Sequence, residues 1–221
     1  MSRRQFSQGL CAGALAAAMP FAGGAAMAET MTARARRLLG ALTDAQREDA
    51  LLAFQSEARR DWHFFPRSRP GVTVGGMAAP AWAALREFLA TLFSAQGMEK
   101  VDGVIRLEKV LHDLSFFSLF RDPGNYAVVF FGEPDAARAW GWRFEGHHLS
   151  VSATVVADLG VAATPAFFGA NPQTVPAKHE HAGLRVLAAE EDLAFQLVRG
   201  GRGGGRGRGG GARGPGGGGV L

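Results

Sequence analysis

The 221-residue chain is 47% apolar with a formal net charge of +4, which suits one moderate domain or two small ones with a real core. Six of its 24 basic residues (Arg3, Arg4, Arg202, Arg206, Arg208 and Arg213) lie at the two ends, leaving 18 against 20 acidic ones between them, so no nucleic-acid partner is expected. The single cysteine, Cys11, falls in the N-terminal leader, so a mature chain has neither disulfide nor thiol nucleophile, and any metal must be held by His, Asp or Glu.

Residues 1–28 read as an address. Ser2-Arg3-Arg4-Gln5-Phe6 resembles the twin-arginine export signal, an Ala- and Gly-rich apolar run follows, and Ala26-Met27-Ala28 fits a small-x-small cleavage site. The run is too short and too rich in Ala and Gly for a stable membrane span. The expected partner is therefore the twin-arginine export machinery, and the expected location is periplasmic or secreted. Passengers of that route cross folded, some with a cofactor already inserted, so a divalent metal is admitted but not required.

Residues 31–60 read as helix, with Thr43 and Gln46 in capping-box spacing ahead of "REDALLAF". "PAWAALREFLATLFSAQG" places Pro80 at a second helix start and Gly97 just past its end, with Trp82, Leu85, Leu89 and Leu92 at helical spacing. "MEKVDGVIRLEKVLHDLS" is a third helix with Val104, Leu107, Leu111 and Leu114 on one face and Arg106 and Glu108 on others. "DPGN" (Asp122–Asn125) is a turn, "YAVVFFG" a strand and "GEPD" another turn; "WGWRF" and "HLSVSATVV" are strands with Gly146 as a break or bulge between them. "TPAFFGANPQTVP" is too rich in Pro, Gly and Asn for a regular element and reads as an ordered loop held by Phe167 and Phe168; "LAAEEDLAFQLV" is a closing helix. The expected class is α+β: N-terminal helices, then an antiparallel sheet and a closing helix, over residues 29–198, with disordered ends.

Residues 199–221 form a Gly/Arg tail that cannot bury a core; the last 22 residues hold 14 of the 31 glycines. A GC-rich gene read out of frame produces this mixture of Gly, Arg, Ala and Pro. A disordered tail is the second reading and an RGG-type nucleic-acid segment the third.

"WHFFPRSRPGV" (Trp62–Val72), "WGWRFEGHHLS" (Trp140–Ser150) and "TPAFFGANP" (Thr164–Pro172), in this order, resemble the bacterial family known as domain of unknown function 3500, over about residues 35–198. The resemblance carries no activity. It implies a longer protein with a second half of further strands and histidines, where this chain has the Gly/Arg tail instead.

Within these blocks the candidate chemistry centres on His147, His148 and Glu145 as catalytic groups. On a regular strand His147 shares the parity of Leu149 and Val151 while His148 shares that of Ser150 and Ser152, so the two cannot chelate one ion without a bulge near Gly146. Glu145 lies on the face of His147, a workable spacing for orienting an imidazole. A divalent metal is expected on His63 with His148, and a small anionic ligand on Arg143 and Arg67, beside Trp142 and Asn171, in an aromatic-walled pocket. Plainer readings stand beside these. His147 is a core histidine, Arg143 stacks on Trp140 or Trp142 and pairs with Glu145, His63 fills a junction, and Glu108 with His112 is a surface pair. His179 and His181 have chelating spacing in what reads as an exposed turn. No HExxH, GxSxG, P-loop or GxGxxG is present. Three functions follow: an exported binding protein with hydrolytic acid–base or metal chemistry, an exported non-catalytic binding or structural protein, or a truncated inactive relic.

Overall fold

The computed structural model describes residues 22–114, 121–157 and 160–203. Residues 1–21 of the expected leader and 204–221 of the expected tail lie outside the described residues; the expected cleavage site Ala26–Ala28 falls within the first helix, and residues 199–203, expected to be disordered, continue the last one. Helix α1 spans Ala22–Ala41 and α2 spans Asp44–Ala50. Both halves of the capping box read from the sequence are present: Thr43 Oγ1 accepts from Gln46 N–H, and Gln46 Oε1 accepts from Thr43 N–H.

The helix expected to run on to residue 60 stops at Ala50. Leu51 and Leu52 turn extended as strand β1 and pair in parallel with Phe130 and Phe131. Two residues cannot serve an α-helix and a sheet edge at once, and in the sheet Leu51 packs against the main core. A single 3₁₀ turn, Glu57–Arg59, follows within a mostly irregular segment.

Strand β2 (Val72–Thr73) precedes α3 (Ala79–Leu89), which carries Pro80 in its first turn, where the missing N–H costs nothing. Helix α4 (Ala95–Leu114) begins earlier than the sequence suggests, so Gly97 lies inside its first turn rather than beyond α3. Its buried face is also displaced: Val101, Val104, Leu107, Glu108 and Val110 point inward, whereas Leu114 is 48% exposed.

Strands β3 (Ala127–Phe131), β4 (Ala139–Gly146) and β5 (Leu149–Val156) form an antiparallel centre. Both outer edges are shared by two short strands. The free edge of β3 takes β1 and β2; that of β5 takes β6 (Gly160–Ala162) and β7 (Ala166–Phe168). The segment expected to be wholly irregular therefore contributes a strand, and Phe167 and Phe168 do anchor it, stacking on Phe64 (centroids 4.0 Å apart) and meeting Phe93 edge-on (5.9 Å). Because β1 runs parallel to β3, the seven-stranded sheet is mixed. Helix α5 (Ala188–Gly203) closes the described chain, and the class is α+β, as the order of elements indicates.

Register divides the sheet into two faces. Val128, Phe130, Trp140, Trp142, Phe144, Val151, Ala153 and Val155 form one, packed in the main core with Met31 and Leu38 of α1 and Leu85, Phe88 and Leu89 of α3. The opposite face carries Arg143, Glu145, Ser150, Ser152 and Thr154 and is roofed by the irregular segment: Arg143 Nη1 donates to Ala58 O (3.0 Å) and Arg59 Nη2 to Thr154 Oγ1 (2.9 Å). The roof closes tightly at Gly71 (φ 97°), where a Cβ would fall 2.2 Å from Val128 O. Among the described residues no helix is long and apolar enough to cross a membrane.

Candidate functional site

The β4–β5 hairpin turns in two residues, and those residues are His147 and His148. Gly146 pairs with Leu149, leaving the histidines as the tip, with His148 at φ 61°. The strand expected to start at His147 thus starts at Leu149. In a turn the alternation rule no longer separates neighbours, and the two imidazoles stack with centroids 3.8 Å apart. Three contacts pin the turn: Tyr126 Oη donates to His147 O (2.7 Å), His148 N–H to Phe64 O (3.1 Å), and Gly169 N–H to His148 O (2.7 Å). The Tyr126 ring lies flush on Gly146, where a Cβ would come within 2.2 Å of it, so only glycine fits there.

The partner of His147 is Glu108, whose Oε2 lies 2.6 Å from Nδ1. Arg121 Nη1 is 2.7 Å from Nδ1 and 3.0 Å from Nε2 of the same ring, and 3.9 Å from Glu108 Oε1. With Glu108 ionised, the consistent tautomer has Nδ1–H donating to the carboxylate and Nε2 accepting from the guanidinium. Glu145, expected to orient His147, stands elsewhere. It faces Arg143, with Nε and Oε1 2.9 Å apart, and accepts from Ser150 Oγ (3.3 Å). Alternate residues of β4 do share a face, but His147 has left the strand and swung toward α4.

Glu108 and His147 both line a cleft of about 290 Å³, together with Arg67, Arg69, Thr73, Asp122 and Asn125. Arg67 is ion-paired with Asp61 and half exposed. Arg69 donates to the carbonyls of Arg67 (2.7 Å) and Phe65, which fixes its guanidinium, yet its Nε is buried without a partner. Burial lowers its pKa while Glu145 and Tyr126 pull the other way. Glu108 Oε1 is likewise buried without a hydrogen-bond partner. Buried polar atoms left open in this way call for water or a ligand. Among the described residues no tryptophan or phenylalanine lines the cleft, and the aromatic side chains expected as its walls pack in the core and the roof instead.

The remaining candidates are dispersed. Trp142 is fully buried beneath α3, edge-on to Phe88 (4.9 Å) with its indole N–H toward Met31 Sδ (3.4 Å). Arg143 is also fully buried, and its cation lies over Phe131 (5.5 Å) rather than over either tryptophan of β4. His63 sits in the roof, 7% exposed, with neither ring nitrogen bonded; burial, then Arg67 and Arg69, lower its pKa. His148 reaches the same roof through its backbone, its N–H donating to the carbonyl of Phe64, the residue after His63 (3.1 Å). Burial first, then His147, depress His148 to about 4. Asn171 is exposed, ahead of a cis Pro172.

Arg121, Tyr126 and Arg69 escaped the sequence reading, and Glu108, read as a surface partner of His112, is instead buried against His147 while His112 Nδ1 lies 2.9 Å from Arg121 O. A signal for Glu108 was present: it falls four residues after Val104 and seven after Val101, in phase with the buried face. A carboxylate in an apolar phase implies a buried partner. Its absence from the expected face came from extending that face to Leu111 and Leu114.

One family, described as protein of unknown function (DUF3500), matches residues 24–200. No curated protein and no solved structure matches the chain.

Proposed function

The chain belongs to the DUF3500 family, and from that premise we propose that it is an exported protein whose Glu108–His147 cleft binds a small anionic ligand and acts on it by acid–base chemistry, with hydrolysis as the reaction class. The 2.6 Å contact of Glu108 with His147 in the lining of the cleft carries this reading. Glu108 fixes the ring and favours a proton on Nδ1, which leaves Nε2 as the basic nitrogen. Arg121 covers Nε2 when the cleft holds no anion. An arriving carboxylate or phosphate competes for that guanidinium and for Arg67 and Arg69, and so uncovers Nε2 beside the bound group. Export rests on the Arg3-Arg4 leader and the small residues through Ala28.

The test is thermal unfolding of the chain from Glu29 onward with inorganic phosphate and with acetate, paired with hydrolysis of p-nitrophenyl phosphate and p-nitrophenyl acetate. The expected result is anion-dependent stabilisation that Arg67→Met weakens, and turnover that His147→Asn abolishes with that stabilisation retained. Absence of any anion response overturns the reading. The contact of Arg121 with both ring nitrogens supports a second reading, a non-catalytic anion-binding protein, which predicts the same stabilisation without turnover. For export, a reporter fused behind residues 1–28 should leave the cytoplasm, and changing both Arg3 and Arg4 to Lys should stop it.

A further inference from the structure

We propose a divalent transition-metal site, Zn²⁺ in the first instance, where the C-terminal turn of α4 meets the 175–184 loop, with Asp113, His179 and Glu180 as ligands and His181 as the fourth. The site is independent of the cleft and shares no residue with it.

The loop is prepared for this. Val175 and Leu184 close it through backbone bonds (Val175 N–H to Leu184 O, 3.1 Å; Gly183 N–H to Val175 O, 2.9 Å), and Val175 packs with Leu107 and Val110 in a small second core. That packing holds the loop tip against the end of α4. The donor atoms of Asp113, His179 and Glu180 then lie within 4.8 Å of one another, with Asp113 Oδ2 3.4 Å from His179 Nε2. His181 Nε2 is 3.7 Å from Glu180 Oε1, and the two imidazole centroids are 5.5 Å apart. A tetrahedral ion with bonds near 2.0–2.1 Å sets its ligands about 3.3–3.5 Å apart, so the donors of Asp113, His179 and Glu180 need to move inward by roughly 1 Å or less, while His181 must swing in to join them.

Electrostatics point the same way. Asp113 sits in the last turn of α4, where the helix dipole already presents negative charge, and Glu180 adds to it. The group that now answers this charge is an ammonium: Lys109 Nζ lies 2.7 Å from Asp113 Oδ2 and 3.8 Å from Glu180 Oε1. A lysine reaching between two carboxylates marks where a cation is most favoured. Its side chain is half exposed, so it can leave for solvent when a doubly charged ion arrives. Two imidazoles with two carboxylates suit Zn²⁺ rather than Ca²⁺ or Mg²⁺, which prefer an all-oxygen shell.

Binding has one structural consequence. His179 Nδ1 now accepts the His181 N–H (3.1 Å), which places the ring proton on Nε2, facing Asp113. With the metal on Nε2 the neutral ring carries its proton on Nδ1, so the His181 amide loses its acceptor and the His179–Ala182 turn must shift. The metal ties the loop to α4 in exchange.

Titration calorimetry of tag-free chain with ZnCl₂ tests the proposal. One ion per chain is expected, with affinity falling about tenfold or more in His179→Ala and in Asp113→Asn. Lys109→Met, which removes the competing ammonium, should bind more tightly. His148→Asn, on the β4–β5 turn, should bind as the parent does. Amide exchange at His181 should quicken on metal addition. Because Asp113 is a partly exposed surface side chain, Asp113→Asn keeps the test valid should His179→Ala fold poorly. No stoichiometric binding, binding indifferent to both ligand substitutions, or weaker binding in Lys109→Met overturns the proposal.

Discussion

Removing Glu108 and His147 singly and together measures the pair that defines the cleft. Both side chains are almost fully buried, at 3% and 10% exposure, and Oε2 and Nδ1 are 2.6 Å apart. Glu108→Leu strands the Nδ1–H of His147, and leaving a buried donor unmet costs about 1–3 kcal/mol. His147→Leu strands a buried carboxylate, for which about 3–5 kcal/mol is usual; Arg121, 3.9 Å away, compensates in part and brings this nearer 3. The double substitution removes both groups' need for a partner, so its loss should fall short of the sum by about 2 kcal/mol. For a chain of this size each kilocalorie moves the midpoint by roughly 2–4 °C, so His147→Leu should melt about 6–12 °C below the parent and Glu108→Leu about 2–12 °C below it. Urea unfolding followed by circular dichroism, on all four proteins, reads the coupling. A coupling below about 0.5 kcal/mol, within the error of additivity, would refute the claim that these two side chains act as a unit.

Stability should also depend on pH through His148. Its folded value, about 4, lies below the ordinary 6.5, so between those limits the unfolded chain binds the proton and the folded chain does not. Stability therefore falls as pH drops from 6.5 to 4, by at most about 3 kcal/mol, and levels off below. His148→Asn, which tolerates the positive φ, should remove that part of the slope; an unchanged difference between pH 7 and 4.5 refutes the assignment. Gly146→Ala drives a methyl into the Tyr126 ring and should cost about 2–4 kcal/mol, with Tyr126→Ala in the same chain recovering part of the loss in a urea melt. Glu145→Gln unpairs the buried Arg143 and should cost roughly 2–3 kcal/mol, while leaving the anion-induced shift in melting temperature intact; a lost shift would place Glu145 in the binding cleft.

The parts of the fold that were legible in the sequence are those whose cause lies within a few residues. Thr43 and Gln46 cap α2 because their side chains reach backbone groups three positions away. Pro80 opens α3, and Asp122 folds its turn by accepting from Gly124 N–H (2.7 Å). Alternation along β5 gave the correct faces for Leu149 and Val151 against Ser150 and Ser152. The same rule misplaced the histidines, because it assumes an extended backbone where the chain reverses.

By itself, then, the sequence determined the α+β order of elements, the caps and turns, the inward face of β5 and membership of the family, since each depends on local backbone chemistry or on blocks of residues recognisable in order. Tertiary structure alone decided that Leu51 and Leu52 leave a helix for a strand partner in β3, that Glu108 and not Glu145 meets His147 across 39 residues, and that Asp113 faces His179 across 66. Those pairings depend on which buried surfaces the packed chain brings together. A buried charge takes the partner that packing supplies, whatever its distance along the chain.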